Sequence, residues 1–309
     1  MKSSMNNVLR VILILVGVFV GIAFLSVGVG LFVIADAITS PIEPDDETTT
    51  GGGSRVAVVE IKDVITSSED VVRQFKKYQK NRNVKAVLVR VESPGGGIAP
   101  SQEIYEAIKN LKNSGMPVVV SMGSMAASGG YYVSLGANKI FANPGTLTGS
   151  IGVIIQYPNF RQLMDKVGVD MTTVKSGRMK DAGSPFRKSA IDDEKYFQQL
   201  IDNGYEQFIG AVIAERKIDR DKILELADGR VFTGQKAFEH NLVDTLGTYE
   251  DALKYAAYLG KIEGEPKILK EKKKQTLMEL MLSKIFDKPL GRASEFLSSP
   301  NLQYKFSIE

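Results

Sequence analysis

The sequence predicts an α/β fold, a mainly parallel sheet covered by helices. Two observations predict it. Short β-branched runs such as Val84-Lys85-Ala86-Val87-Leu88-Val89-Arg90-Val91 alternate with amphipathic helical stretches, the rhythm of strand–helix–strand units. Three glycine-bearing loops follow such runs: Glu92-Ser93-Pro94-Gly95-Gly96-Gly97, Gly123-Ser124-Met125-Ala126-Ala127-Ser128-Gly129-Gly130, and the stretch from Asn143 to Gly152. Ligands bind at the carboxyl ends of strands in sheets of this kind. The chain has 309 residues, 43% of them hydrophobic, enough for one sizeable domain with appendages.

In chain order, residues 1–10 precede an uncharged apolar run, 11–35. As a helix that run would extend about 37 Å, enough to cross a hydrocarbon core of about 30 Å with tilt. It is too long for the apolar part of a cleaved signal peptide, so an uncleaved transmembrane signal anchor is expected. Lys2 and Arg10 precede it, while Asp36, Glu43, Asp45, Asp46 and Glu47 follow. That asymmetry leaves residues 1–10 in the cytoplasm and the bulk of the chain outside it. Residues 36–54, with Thr48-Thr49-Thr50-Gly51-Gly52-Gly53, read as a flexible tether.

A catalytic domain is expected over 55–263. Strands are expected at 55–61, 84–91, 117–122, 139–142, 151–155 and 171–174. Helices are expected at 68–80, with Glu69 and Asp70 in the first turn, and at 100–113, stopped near Gly115. Further helices are expected after Ser128 and at 158–167, 192–217, 219–227, 233–240 and 249–259. The tail, 264–309, gathers Lys267, Lys270, Lys272, Lys273 and Lys274 before the apolar run 277–282, and reads as a solvated terminus.

Composition removes whole classes of chemistry. There is no cysteine, so disulfides, thiolate nucleophiles and Cys-bound metals are excluded. The net charge of +3 is nearly balanced, and nucleic acid is not an expected partner. The single histidine, His240, sits at an expected helix end. With it idle, a serine nucleophile must take a lysine as its base. No cofactor and no metal are expected.

Ser128 lies where a small-residue turn leaves a strand and opens a helix, a suitable seat for a nucleophile. Glycine runs beside it would offer backbone N–H groups to the oxyanion of a tetrahedral intermediate. Lys175 and Lys180 both lie outside the charge runs. About one unperturbed lysine in a thousand is neutral near pH 7.5, so a working lysine must be desolvated. Elementary chemistry leaves the choice between the two open. Ser150 would orient such a lysine, or hydrogen-bond within its own loop.

These three loops, with Lys180-Asp181-Ala182-Gly183-Ser184-Pro185, Asp228-Gly229-Arg230-Val231-Phe232-Thr233-Gly234 and Leu242-Val243-Asp244, resemble the signal peptide peptidase A family, serine–lysine peptidases of family S49. The resemblance runs from Arg55 to about Leu259. It implies a Clp-protease/crotonase-like fold, Ser128 as nucleophile, Lys180 as general base, and Ser150 as the residue that positions the lysine. It also implies Gly95 and Gly129 as oxyanion-hole donors. The implied substrates are apolar peptides, cleaved signal peptides in or near the bacterial cytoplasmic membrane. Only one copy of the domain is present, as in the short forms, which implies a ring-shaped homo-oligomer with sites shared between neighbouring subunits. A crotonase-type acyl-CoA enzyme and a broader membrane quality-control protease are the competing expectations.

Overall fold

The computed structural model describes residues 47–48, 53–271 and 303–305. Its main sheet runs in the order β1 (Glu47–Thr48), β10 (Lys267–Lys270), β2 (Arg55–Lys62), β3 (Val84–Ser93), β5 (Val118–Ala127), β6 (Lys139–Ala142) and β9 (Thr245–Leu246). From β10 to β9 every pairing is parallel. Antiparallel pairing at β1–β10 makes the sheet mixed. So does β8 (Val231–Thr233) on β7 (Leu147–Gly149), which continues beside the far end of β5.

Both faces of this sheet are buried, which is why its strands are apolar throughout rather than alternating with polar residues. Ala57, Val59, Val87, Val89, Val120 and Met122 enter one core. The residues between them, Val56, Val58, Ala86, Leu88 and Val119, enter the other. Helices α1 (Glu69–Lys80) and α2 (Ile98–Asn113) contribute Phe75, Tyr78, Ile104 and Ile108 to the first core. Helix α8 (Tyr249–Leu259) covers the second with Ala252, Leu253, Ala256 and Ala257. A capping box starts α8: Thr248 N–H donates to Asp251 Oδ2 (2.8 Å) and Asp251 N–H to Thr248 Oγ1 (3.3 Å).

One irregularity builds the site. Val91 faces Met122, but Ser93 faces Ala126, so Gly123, Ser124 and Met125 bulge from β5. The Glu92 carboxylate takes up their free amides, accepting from Ser124 N–H (2.9 Å) and Met125 N–H (3.1 Å). Glycine at 123 leaves the space this carboxylate fills: a Cβ there would stand 1.7 Å from Glu92 Oε2 and push it away. Beyond the bulge β5 turns from β6 to β7, and its last residue, Ala127, pairs with Gly149.

The structure departs from expectation in several places. Residues 151–155 form no strand; the strand lies earlier, at β7, because Gly149 (φ 77°) and Ser150 (φ 50°) then turn the chain. Residues 171–174 are irregular and Val174 is 96% exposed, since no neighbouring strand lies there to pair with them. The tail expected from residue 264 begins with β10, which joins the central sheet through Arg55–Val58. Among the described residues no helix is long and apolar enough to cross a membrane. The anchor expected at 11–35 and the apolar run 277–282 lie outside the described residues.

Candidate active site

Ser128 follows β5 with φ 54° and ψ −114°, and α3 (Gly129–Ser134) begins at the next residue. A non-glycine residue at such φ stores about 1–3 kcal/mol, and strained strand-to-helix elbows are how α/β hydrolases present a nucleophile. Two hydrogen bonds impose the conformation. Ser128 N–H donates to Gly149 O (2.7 Å), and Ser128 O accepts from Tyr132 N–H (2.8 Å). Tyr131 and Tyr132 anchor α3 beneath it. Tyr131 donates to Leu242 O (2.9 Å). The Tyr132 ring packs edge-on against Tyr105 and against Phe208 of α5 (Ile191–Arg216), with centroids 5.2 and 5.1 Å apart. Ser128 is 1% exposed, and its hydroxyl has no hydrogen-bond partner among the described residues.

A short strand, β4 (Gly95–Gly97), lies against this elbow. A Cβ on Gly129 would stand 2.7 Å from Ser101 Oγ, 3.1 Å from Gly96 N and 3.2 Å from Gly95 Cα, so only glycine lets the two backbones meet. Ile65 occupies one side of β4. Its N–H donates to Gly95 O (2.8 Å), and its O accepts from Gly97 N–H (2.8 Å). Gly95 N–H is also taken, donating to Ser93 Oγ (3.1 Å). Gly96 N–H is the amide that neither Ser93 nor Ile65 uses. The family resemblance implies Gly95 as a donor. Alternate amides of an extended strand point to opposite sides, so Gly96 N–H faces away from Ile65. Along the open edge of β4 runs β11 (Gln303–Lys305), antiparallel, with Tyr304 opposite Gly96.

Ser150 follows β7 at φ 50° and is buried. Its N–H donates to Arg230 O (2.9 Å), and Gly229 N–H donates to Ile151 O (3.1 Å). Gly149 must stay glycine: besides its positive φ, a Cβ would meet the Phe232 ring at 2.6 Å. The Asp228–Gly234 stretch is therefore the wall that shapes the Ser150 loop, a role invisible in the sequence. The structure thus brings together Ser128, Gly129, Gly95–Gly97 and the loop of Ser150. His240 stands apart from them, its ring 5.5 Å from that of Phe232.

Lys180 sits on a short 3₁₀ turn, Arg178–Asp181. It is exposed, and its ammonium has no hydrogen bond or ion pair among the described residues. No bond joins it to Ser128 within the single chain. Lys175, the other candidate, is committed: its Nζ donates to Asp181 Oδ1 (2.5 Å) and to Arg178 O (2.9 Å). Lys175 and Arg187 hold the Asp181 carboxyl well below the usual range, to about 2. A depressed carboxyl contributes stability that is complete above its unfolded value near 4 and is lost as pH falls through about 2. Amide exchange of residues 175–190 should therefore accelerate selectively between about pH 4 and pH 2. Uniform acceleration across the whole sheet would show that these pairs do not hold the loop.

The chain that precedes the Lys180 turn exposes several apolar side chains. Phe160, Leu163, Val167, Val169, Met171 and Val174 are all exposed. This region includes helix α4 (Arg161–Val167) and the irregular chain that follows.

Comparison with known proteins places this architecture. The Peptidase family S49 model matches residues 110–263, and the Clp protease model matches residues 55–147. A Synechocystis protein named "Putative protease" is 42% identical over 215 residues, 69% of this chain and 77% of that protein. A "Putative signal peptide peptidase SppA" of Enterococcus faecium is 43% identical over 185 residues, 60% of this chain and 54% of that one. Protease 4 of Haemophilus influenzae is 36% identical over 217 residues, 67% of this chain and 35% of that one. The chain thus spans about half and about a third of the latter two. Fold and family together define a serine peptidase with a Clp-protease-like α/β domain. The chain belongs to peptidase family S49.

Proposed function

We propose that this chain is a membrane-anchored endopeptidase that cuts apolar peptides, cleaved signal peptides above all, with Ser128 as nucleophile and Lys180 as general base. The observation that carries the reading is the Ser128 elbow, a serine at φ 54° set against a glycine strand. Ser128 Oγ attacks the scissile carbonyl while its proton passes to neutral Lys180 Nζ. The N–H groups of Gly96 and Gly129 receive the oxyanion, a contribution of about 10²–10³ in rate per donor. Lys180 then gives the proton to the leaving amine, and water hydrolyses the acyl-enzyme with Lys180 again as base. Ser150 orients the lysine. An extended substrate lies antiparallel to β4, in the manner that Gln303–Lys305 pairs with it. Family membership favours this over the acyl-CoA reading.

A second copy of the chain completes each site. In the single chain Lys180 is exposed and unpaired among the described residues, and the chain before it exposes Phe160, Leu163, Val167 and Val174. Covering that surface with a neighbouring subunit would desolvate Lys180 and bring it to the neighbour's Ser128. Repetition of that contact gives a ring. The apolar run 11–35 anchors the ring, with the catalytic domains outside the cytoplasm.

The test is a membrane-impermeant fluorophosphonate applied to intact spheroplasts. Labelling of the wild-type chain and none of Ser128→Ala is expected, together with hydrolysis of apolar peptides by the purified enzyme. Labelling only after lysis would overturn the topology alone. No labelling in either state would overturn the nucleophile.

A further inference from the structure

Arg187 bridges two carboxylates that the mechanism above does not use. Its Nη1 donates to Asp193 Oδ2 (2.6 Å) and its Nη2 to Asp193 Oδ1 (2.9 Å). The same Nη2 donates to Asp181 Oδ1 (3.1 Å) and to Asp181 O (3.0 Å), and Nε lies 3.1 Å from Asp181 Oδ2. Asp193 is itself fixed. It is 2% exposed in the first turn of the 26-residue helix α5, and its Oδ2 accepts from Ala190 N–H (3.1 Å). A continuous chain of contacts therefore runs from the buried Asp193 in the first turn of α5 through Arg187 to Asp181, the residue after Lys180.

The charges along this chain cancel. Asp181 and Asp193 face Arg187 and Lys175, and the flanking Arg178 pairs with Asp192. Cancellation matters at this position. An uncompensated carboxylate one residue from a lysine favours its protonated form, and a protonated lysine cannot accept the Ser128 proton.

We propose that Arg187 is a positioning residue: it ties the Lys180 turn to α5 and, with Lys175, cancels the carboxylate charge beside the base. The proposal rests on the reading of Lys180 as that base. Arginine suits the task because its planar guanidinium presents donors to two carboxylates in a fixed geometry, whereas a lysine ammonium pairs as a point charge without that geometry.

The test compares pH profiles of kcat/KM for apolar peptide hydrolysis by the full chain in its assembled form. Wild-type activity rises with pH as the base loses its proton. Arg187→Gln unmasks the Asp181 charge and should move the midpoint of that rise up by about one pH unit. Asp181→Asn removes the charge and should move it down. The double variant should return towards the wild-type midpoint. Arg187→Lys keeps the charge but loses the fork, so its midpoint should hold while the plateau falls about tenfold or more. A merely structural role lowers plateaus and leaves every midpoint in place, and that result would overturn the proposal. If Arg187→Gln fails to fold by circular dichroism, Asp181→Asn decides alone, and an unmoved midpoint there overturns it. Full activity in Lys180→Ala would remove the reading beneath the proposal. Unmoved midpoints beside an inactive Lys180→Ala enzyme would remove the proposal only.

Discussion

Ser128→Ala and Lys180→Ala should each lower kcat/KM by on the order of 10⁴-fold or more, the scale of losing a nucleophile or its base. The fold should survive both changes. The Ser128 hydroxyl and the Lys180 ammonium have no hydrogen-bond partner among the described residues, so their removal orphans nothing. The elbow remains, because Ser128 N–H to Gly149 O and Tyr132 N–H to Ser128 O are backbone bonds. Lys175→Ala is the control. It removes the partner of Asp181 and loosens the turn, so a partial loss is expected. Kinetics on apolar peptides, with thermal unfolding alongside, would decide. A folded Lys180→Ala enzyme at full rate would end the assignment, and complete loss in Lys175→Ala alone would move the base there.

Mixing the two inactive variants should restore part of the activity. If each site joins Ser128 of one subunit to the neighbour's Lys180, a mixed ring contains some interfaces with both groups intact. In rings with random exchange, about a quarter of the interfaces pair an intact serine with an intact lysine, so recovery towards a quarter of the wild-type rate is expected. The motivation is the single chain, in which Lys180 is exposed with no partner among the described residues, and in which Phe160, Leu163, Val167 and Val174 are also exposed. Mixed rings, verified by differential tagging and still wholly inactive, would mean that each subunit builds its own dyad.

Much of the architecture was legible in the sequence because the core strands are buried on both faces. Mainly apolar, β-branched runs at 55–61, 84–91 and 139–142 announce β2, β3 and β6, and acids in the first turn announce α1. The Ser128 turn was legible too, since a small-residue stretch between a strand and a helix has few other uses. Short strands were not. Val231–Thr233, Thr245–Leu246 and Lys267–Lys270 have two to four residues, and partners distant in the chain hold them.

The sequence by itself determined the fold class and the absence of thiol chemistry, because these depend on composition and local pattern. Only the tertiary structure decided which partners the groups of a pattern take. Gly95 and Gly96 are the same residue type, yet Gly95 N–H donates to Ser93 Oγ while Gly96 pairs with Tyr304 of β11. Lys175 and Lys180 are likewise the same type, yet Asp181 claims the first. A hydrogen bond or ion pair between segments is set by the register of packed elements, and residue type and spacing carry no record of it.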